Sequence, residues 1–324
     1  MRKALYGTAA VALVVFALVA AGPARAQDAY PSRQIHIVVG FPPGGGVDVV
    51  ARLMADKLAP ILGKPVVVEN RAGASGSLAT RQVAAMPADG YTLLMNSNSI
   101  LANQAVNPNA GHDVERQLVP VLKAAVQSNI LVAAPDLDVT TLADVIKLAR
   151  TRELDYGSPG AGSIPHLALE ALFTTQAGVK LKHIPYPGAA QALTATVAGH
   201  VPLACVTTPP AVPLVQSGKV KGIMVTSAQR SSALPNVPTA IESGFKDFVT
   251  EVWAGFFVAT GTPQPVIDAL SRAMLGVLAM PEVKEKLVTL GFDPAGATSA
   301  DFAREISAEL RQWREVAQKA GIKF

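Results

Sequence analysis

Residues 35–48 read IHIVVGFPPGGGVD, an apolar run that ends in two prolines and three glycines. From residue 50 to residue 62, apolar side chains recur at helical spacing, and PVVVE at 65–69 has the composition of a second strand. Residues 78–85 and 91–95 repeat the helix and the strand. The order strand, helix, strand, helix, strand predicts a parallel α/β sheet.

A second run of alternating strand and helix patterns extends from residue 119 to residue 226. The segments 97–116 and 227–238 lack periodicity, and we interpret them as two crossings of the chain. Two α/β units joined by two crossings predict a clamshell with a ligand cleft at the carboxyl ends of the strands. We predict a first lobe of residues 27–98 and 228–324 and a second lobe of residues 99–227, with the C-terminal helix packed across both.

The N-terminus has the pattern of a secretory signal peptide. Arg2 and Lys3 precede an uncharged apolar run, and Ala24-Arg25-Ala26 fits a cleavage site. The apolar run is too short to span a bilayer as a helix. We therefore predict that residues 1–26 are removed after Ala26 and that the protein is exported to the periplasm. No cysteine stands directly after the apolar run, where a lipid would be attached, so a lipoprotein is not expected.

Charge and residue usage argue against several functions. Without residues 1–26, the chain has 25 basic and 24 acidic residues, a balance that does not favour nucleic acid. The five histidines show no close metal-ligand spacing, and Cys205 is the one cysteine, which we interpret as a buried, inert thiol. No Gly-x-Ser-x-Gly motif occurs. We expect no cofactor, no metal and no catalytic residue, and hence not an enzyme.

The turn after the first predicted strand is a candidate ligand site. Glycine backbones let several N–H groups approach a ligand, and the following helix N-terminus adds a partial positive charge. Such a turn can hold a carboxylate without Lys or Arg, although an ordinary turn that binds nothing explains this segment equally well. The side chain of Asp48 either caps the helix or accepts a hydrogen bond from a donor group of the ligand. The candidate residues are Phe41, Pro43, Gly44, Gly45, Gly46, Val47 and Asp48.

Residues 157–166, GSPGAGSIPH, occupy the equivalent place in the second unit, between a strand and a helix. Serine hydroxyls there can donate to the same anion, and the histidine is either a ligand contact or a packing residue. Two matching turns, one in each unit, indicate an anion-binding site more specifically than either turn alone. The candidates are Ser158, Gly160, Ala161, Gly162, Ser163 and His166, with weaker ones at other loop and strand ends: Ser75, Asn98, Tyr186 and Thr207.

In combination, these motifs resemble the Bug-type, TctC-like substrate-binding proteins of tripartite tricarboxylate transporters. The resemblance covers nearly the whole chain after residue 26. Its segments are YP at 30–31 with the turn at 41–48, PVVVENR at 65–71, ADGYTL at 88–93, YGS to PHL at 156–167, VTSAQR at 225–230 and LPNVPT at 234–239.

The resemblance implies a two-lobed Venus-flytrap fold, with two mixed or parallel sheets flanked by helices. It implies capture of a small organic acid by the turns 44–48 and 158–163, and delivery to membrane permease subunits by a protein expected to be a monomer. Family ligands are mostly organic acids, amino-acid-like dicarboxylates or aromatic carboxylates.

Departures from the family pattern concern the ligand. Val47 replaces the usual Thr, Cys205-Val206-Thr207 replaces an aromatic-Asp-Asn run, and Asn107-Pro108 replaces a Leu-Pro-Tyr type start. A less polar wall suggests that the far end of the ligand is apolar or aromatic. Two other functions stay open at this point: a co-receptor that presents its ligand to a membrane sensor kinase, and a secreted hydrolase with a converging Ser, His and acid.

Overall fold

The computed structural model describes residues 30–107, 109–246 and 248–320. The predicted signal peptide at residues 1–26 lies outside them. From Arg33 onward the chain forms one compact unit. None of the described helices has both the length and the apolar character that crossing a membrane requires.

Ten strands form one continuous sheet in the described residues. Most of them carry the apolar and β-branched runs that predicted them. They are β1 Ile35–Val39, β2 Val66–Asn70, β3 Thr92–Ser97, β4 Leu118–Ala133, β5 Asp155–Ser158, β6 Lys182–Pro185, β7 Leu203–Thr207, β8 Lys221–Val225, β9 Glu251–Ala259 and β10 Asp293–Thr298.

Helices flank the sheet and mostly follow strands, as in other α/β folds. They are α1 Gly46–Leu62, α2 Ser77–Ala84, α3 Ser99–Val106, α4 Val114–Gln117, α5 Leu142–Ala149, α6 Ile164–Leu169, α7 Ala189–Val197, α8 Thr208–Gln216, α9 Gln264–Ala279, α10 Pro281–Thr289 and α11 Ser299–Ala320. A 3₁₀ turn at Ala74–Gly76 precedes α2, and a π-helical segment at Glu170–Gln176 continues α6.

The sheet has two halves that share strand β4. In the first half, β1 pairs in parallel with β2 and β3, and β3 pairs antiparallel with β9. In the second half, β5 pairs in parallel with β6 and β7. Strand β4 pairs with β9 as far as Ser128 and with β7 from Asn129 onward. The turns that follow β1 and β5 therefore belong to different halves of the molecule.

The first crossing differs from the prediction at residues 97–116. Helix α3 occupies part of that segment, and it is buried on nearly all sides, which explains why its sequence shows no helical periodicity. The chain instead passes from one half of the sheet to the other inside β4, at Ser128–Asn129. The lobe boundaries stay a prediction, and the strand pairing favours moving the first of them from residue 98 into β4.

Sequence patterns missed helix α8 and strand β10. Helix α8 reads TPPAVPLVQ, and its first prolines are compatible with a helix because first-turn N–H groups need no helical partner. Strand β10 contains Pro294 and Gly296, and its pairing with β4 shifts register between Pro294 and Ala297. Prolines and glycines usually mark the ends of helices and strands, so their presence inside α8 and β10 made both elements hard to predict from the sequence.

The C-terminal helix α11 is anchored by an apolar face. Phe302, Ile306 and Leu310 are buried in a core cluster together with Val38 and Phe257. Burial of a phenylalanine of this kind contributes about 2–3 kcal/mol. One turn further along, Trp313 packs against a second cluster of Ala102, Ile164, Leu167 and Val252.

Candidate functional site

The turn between β1 and α1 is closed by its own backbone. Gly44 has φ +81°, a conformation that glycine adopts with little strain, and its N–H donates to Asp48 Oδ2 at 3.0 Å. Gly45 is the N-cap of α1, and Gly46 is its first residue. The turn therefore presents glycine backbone at the N-terminus of a 17-residue helix.

Asp48 holds this turn in place. Its side chain is almost completely buried, and Oδ1 accepts from Asn70 Nδ2 at 2.8 Å and from Arg52 Nη2 at 2.9 Å. Asn70 Nδ2 also donates to Phe41 O at 2.9 Å. Burial favours a raised pKa for Asp48, but the hydrogen bonds from Arg52, Asn70 and Gly44 outweigh it and lower the pKa. The ionised carboxylate of Asp48 therefore stabilises the turn.

The turn between β5 and α6 is built in the same way from hydroxyl groups. Ser163 Oγ donates to Gly160 O at 2.7 Å and, as the N-cap, accepts from the His166 N–H. Ser158 is fully buried, and its Oγ lies 2.6 Å from His183 Nε2. Both hydroxyls stabilise the turn in this structure, and direct contact of Ser158 with a ligand stays a prediction.

Two stacked histidines support the second turn from behind. The rings of His166 and His183 lie 3.9 Å apart, and the Gly162 N–H donates to His166 Nδ1 at 3.1 Å. Burial lowers the pKa of His166 to about 3, with a further contribution from His183, and burial lowers the pKa of His183 to about 4. Both rings are therefore neutral at pH 7, which fits the packing interpretation of His166.

The two halves contact each other next to these turns. Ser75 Oγ donates to Ala161 O at 2.7 Å, and Ser99 Oγ accepts from the Ile164 N–H at 3.2 Å. Two hydrogen bonds thus join the first half of the molecule directly to the second turn region.

Cavity 1 lies between the two turns, and its free space together with the open solvent at its mouth is about 450 Å³. Seven of its lining residues are predicted site residues: Phe41, Pro43, Gly45, Gly46, Val47, Ser163 and Thr207. The others are Pro42, Ser97, Ser99, Gln127, Pro159, Pro165, Ala189, Ala190, Gln191 and Val252.

Cavity 2 adjoins cavity 1 at Pro159 and has an empty volume of about 720 Å³. Four predicted residues line it: Ser75, Gly160, Ala161 and Tyr186. Among the described residues, six predicted ones lie outside the walls of both cavities: Gly44, Asp48, Asn98, Ser158, Gly162 and His166.

Asn98 connects the end of β3 to the C-terminal helix. Its Nδ2 donates to Glu309 Oε1 at 2.8 Å and to Glu251 O at 3.0 Å. Trp253 Nε1 donates to Glu309 Oε2 at 2.7 Å. Burial raises the pKa of Glu309 even though these donors favour its ionised form. The Asn98 amide therefore holds α11 in position, while its neighbours Ser97 and Ser99 line cavity 1.

Cavity 1 has a mainly apolar wall. Among the described residues that line it, none has a charged side chain, and prolines, alanines and valines predominate. Val47 and Thr207 are on the wall, as the family departures suggested. Cys205 and Val206 are fully buried in core clusters instead, and burial raises the pKa of the Cys205 thiol. Cys205 is thus a buried free thiol, as predicted.

Gln127 is the main lining residue that sequence reasoning missed. It lies in the middle of β4, and its amide is buried in the wall of cavity 1. A signal was present, because the polar run Gln127-Ser128-Asn129 interrupts an apolar stretch, where buried polar groups need a partner. In the sequence, this interruption reads as a gap between one predicted strand at 119–125 and another at 130–134.

Ser158 and His183 do not form the catalytic triad that the hydrolase alternative requires. Ser158 and His183 are within hydrogen-bond distance, but no carboxylate among the described residues hydrogen-bonds to His183. Ser158 is also fully buried and lines neither cavity. A serine nucleophile needs an oriented base and access to substrate, and this pair has neither.

Most of the chain is similar to known proteins of one family. A family model described as tripartite tricarboxylate transporter family receptor matches residues 50–322. The solved structure of the periplasmic binding protein BugD is 32% identical, with a TM-score of 0.87, and the match covers 91% of this chain and 99% of that one.

Two further solved structures contain carboxylates. Rpa4515 of Rhodopseudomonas palustris with adipate is 36% identical, with a TM-score of 0.87, and the match covers 91% of this chain and 99% of that one. MatC of the same organism with bound malate is 30% identical, with a TM-score of 0.83, and the match covers 89% and 99% of the two chains. These similarities confirm the predicted two-lobed periplasmic-binding-protein fold.

Proposed function

Because the chain belongs to the tripartite tricarboxylate transporter receptor family and is of the Bug type, we propose that it captures a small organic carboxylate for a transporter of that kind. The observation that carries this proposal is cavity 1, which is lined by a glycine-rich helix N-terminus from one half and by the second turn from the other. Closure of the two halves around the ligand is the expected mechanism.

A carboxylate suits this cavity for electrostatic reasons. Gly46 and Val47 begin α1, so their N–H groups have no helical carbonyl to bind, and the helix end carries a partial positive charge. These groups can hold an anion without a cationic side chain. We propose Phe41, Pro43 and Val47 as further contacts from this side. Ser163 and Thr207 are the proposed contacts from the other half.

The cellular context is also part of the proposal. An exported protein with its signal peptide removed after Ala26 would work in the periplasm and deliver its ligand to membrane permease subunits. The adipate and malate of the two relatives support a carboxylate ligand and leave its identity open. Binding without chemical conversion agrees with the complete burial of the Ser158 hydroxyl, which lines neither cavity.

Isothermal titration calorimetry on the purified protein tests the ligand class. The panel contains linear and aromatic mono- and dicarboxylates, each matched with the neutral primary alcohol of the same skeleton. We expect at least one carboxylate to bind with a Kd below about 10 μM and its alcohol to bind at least about a hundredfold more weakly, because a site for an ionised group rejects the neutral analogue. Equal binding of acid and alcohol, or no binding across the panel, would contradict the proposal.

Uptake measurements test the transporter role. Cells that take up the identified radiolabelled acid should lose most high-affinity uptake when the gene for this protein is deleted, and equally when the permease genes are deleted. Unchanged uptake in either deletion would argue against delivery to such a permease.

A further inference from the structure

The side-chain amide of Gln127 is a buried polar group that lacks a hydrogen-bond partner in the described part of the chain. The residue is 1% exposed, and among the described residues neither Oε1 nor Nε2 has a hydrogen-bond partner. Buried side-chain amides are nearly always hydrogen-bonded, because an unsatisfied one is costly. The assignment of oxygen and nitrogen does not affect this point, since both atoms are unpaired. Gln127 is one of the residues that line cavity 1, so a bound ligand lies next to this side chain.

The position of the amide relates it to the carboxylate site. The Gln127 side chain lies directly against Gly46, where a β-carbon would be 2.9 Å from Nε2 and 3.0 Å from Cδ. Gly46 is the first residue of α1, whose N-terminus is the proposed carboxylate anchor. A ligand group that meets Gln127 is therefore attached within a few carbon atoms of the bound carboxylate.

The chemistry of the ligand group next to Gln127 follows from the hydrogen bonds that the Gln127 amide lacks. A carboxamide has both donor and acceptor atoms, so it is satisfied by a group that both accepts and donates. A second carboxylate accepts from Nε2 but places a negative oxygen against Oε1. An ammonium donates to Oε1 but has no lone pair to accept from Nε2, and none of the described residues lining cavity 1 is acidic to hold it. A hydroxyl or a carboxamide meets both requirements without a charge.

We infer that Gln127 recognises an uncharged hydroxyl or carboxamide near the ligand's carboxylate, so that the ligand is a hydroxy acid or an amide-bearing carboxylate. This inference rests on the proposed function and narrows its ligand class. It makes Gln127 a specificity-determining residue, while the anchor at α1 holds the carboxylate common to all candidates.

Matched pairs of carboxylates test the inference by calorimetry. The pairs are lactate with propanoate, malate with succinate, and succinamate with levulinate, in which a methyl group replaces the amide nitrogen. In the wild-type protein we expect the hydrogen-bonding member of at least one pair to bind about tenfold tighter or more. This comparison needs no variant, so a folding defect cannot obscure it.

The variant Gln127→Met then assigns the preference to the amide. It keeps the length of the side chain and removes both polar atoms, so the ratio within the preferred pair should fall to about one while the other member binds within about threefold of wild type. Gln82→Met, the same change at an exposed position, should keep the wild-type ratio. Thermal unfolding of each variant verifies that it is folded, and Gln127→Leu replaces Gln127→Met if the latter is not.

Three results would overturn the inference. If both members of every pair bind equally well to wild type, the inference fails and the proposed function stands. If the variant at position 127 still prefers the hydrogen-bonding member of the pair, another residue recognises that ligand group. If no carboxylate of the pairs or of the larger panel binds, the proposed function fails and the inference fails with it.

Discussion

The side-chain amide of Gln127 fills the space that a β-carbon on Gly46 would occupy, and so a strand residue and a helix-start residue from distant parts of the sequence share one site. Gly46 is required here by the approach of another side chain, and not by its own backbone angle. The contact joins the centre of β4 to the N-terminus of α1, on the wall of cavity 1.

Gly46→Ala is therefore expected to destabilise the fold through Gln127. Alanine is normally favourable in a helix, yet the crowding should lower the free energy of unfolding by about 1–3 kcal/mol. In a Gln127→Ala background the same substitution should cost less than about 1 kcal/mol, because the obstacle is gone. Urea unfolding of the four proteins measures this double-mutant cycle, and additive effects would show that the two residues are not coupled.

Gly45→Ala is the comparison for this cycle. A β-carbon on Gly45 would have its nearest neighbour, Pro42 O, at 3.6 Å, an ordinary contact. We expect a cost below about 1 kcal/mol from the change of N-cap residue, independent of the residue at 127.

Asp48→Asn tests the carboxylate that holds the first turn. An amide cannot accept every hydrogen bond from Gly44, Arg52 and Asn70, so we expect a loss of about 1–3 kcal/mol in the free energy of unfolding at pH 7. The pKa of Asp48 is lowered from 3.8 in the folded protein, so its stabilisation is present above that pH and is lost as the pH falls through the lower folded value.

The difference between wild type and Asp48→Asn should therefore shrink below pH 3.8. Urea unfolding at a series of pH values measures it, with the exposed Asp136→Asn as the control. A difference that stays constant through this range would contradict an ionic role for Asp48.

Ser75 joins the two halves through Ala161 and does so with a left-handed backbone, at φ +52°. Ser75→Ala removes the hydroxyl and keeps the unfavourable angle, so a ligand identified by the panel should bind about two- to tenfold more weakly. Ser75→Gly should weaken binding equally but increase thermal stability, because glycine adopts this angle without strain. Calorimetry and thermal unfolding separate the two effects, and unchanged affinity in both variants would exclude a contribution of this bond to closure.

The stacked pair of His166 and His183 predicts a dependence of stability on pH. Burial lowers the pKa of both from 6.5, to about 3 and about 4, so below pH 6.5 the unfolded chain binds protons before the folded protein does. Stability should then fall by about 1 kcal/mol per histidine for each pH unit between 6.5 and 4.

His183→Gln should make this loss smaller, since one of the two titrating rings is removed. Unfolding measured at pH 7 and pH 5 provides the comparison, with His200→Gln as the exposed control. Equal acid sensitivity of His183→Gln and wild type would contradict the assignment.

Local patterns were enough to predict most of the fold. Apolar runs and helical spacing predicted β1, α1 and β2 to within a few residues, because these elements depend on neighbours close in sequence. Both glycine turns were recognised as well, since prolines and glycines break the flanking elements. Helix α3 was missed because burial on nearly all sides removes the periodicity that marks a surface helix.

The candidate site depended on contacts that no local pattern contains. The residue types in the two turns indicated an anion site, and the structure places seven of the predicted residues around one cavity. Tertiary packing turned Asp48 towards Arg52 and Asn70, and buried Ser158 and His166 behind the second turn. It also brought Gln127 against Gly46, because β4 runs through both halves and passes the N-terminus of α1. Periodicity can indicate that a side chain is buried, but only packing decides which cavity it faces.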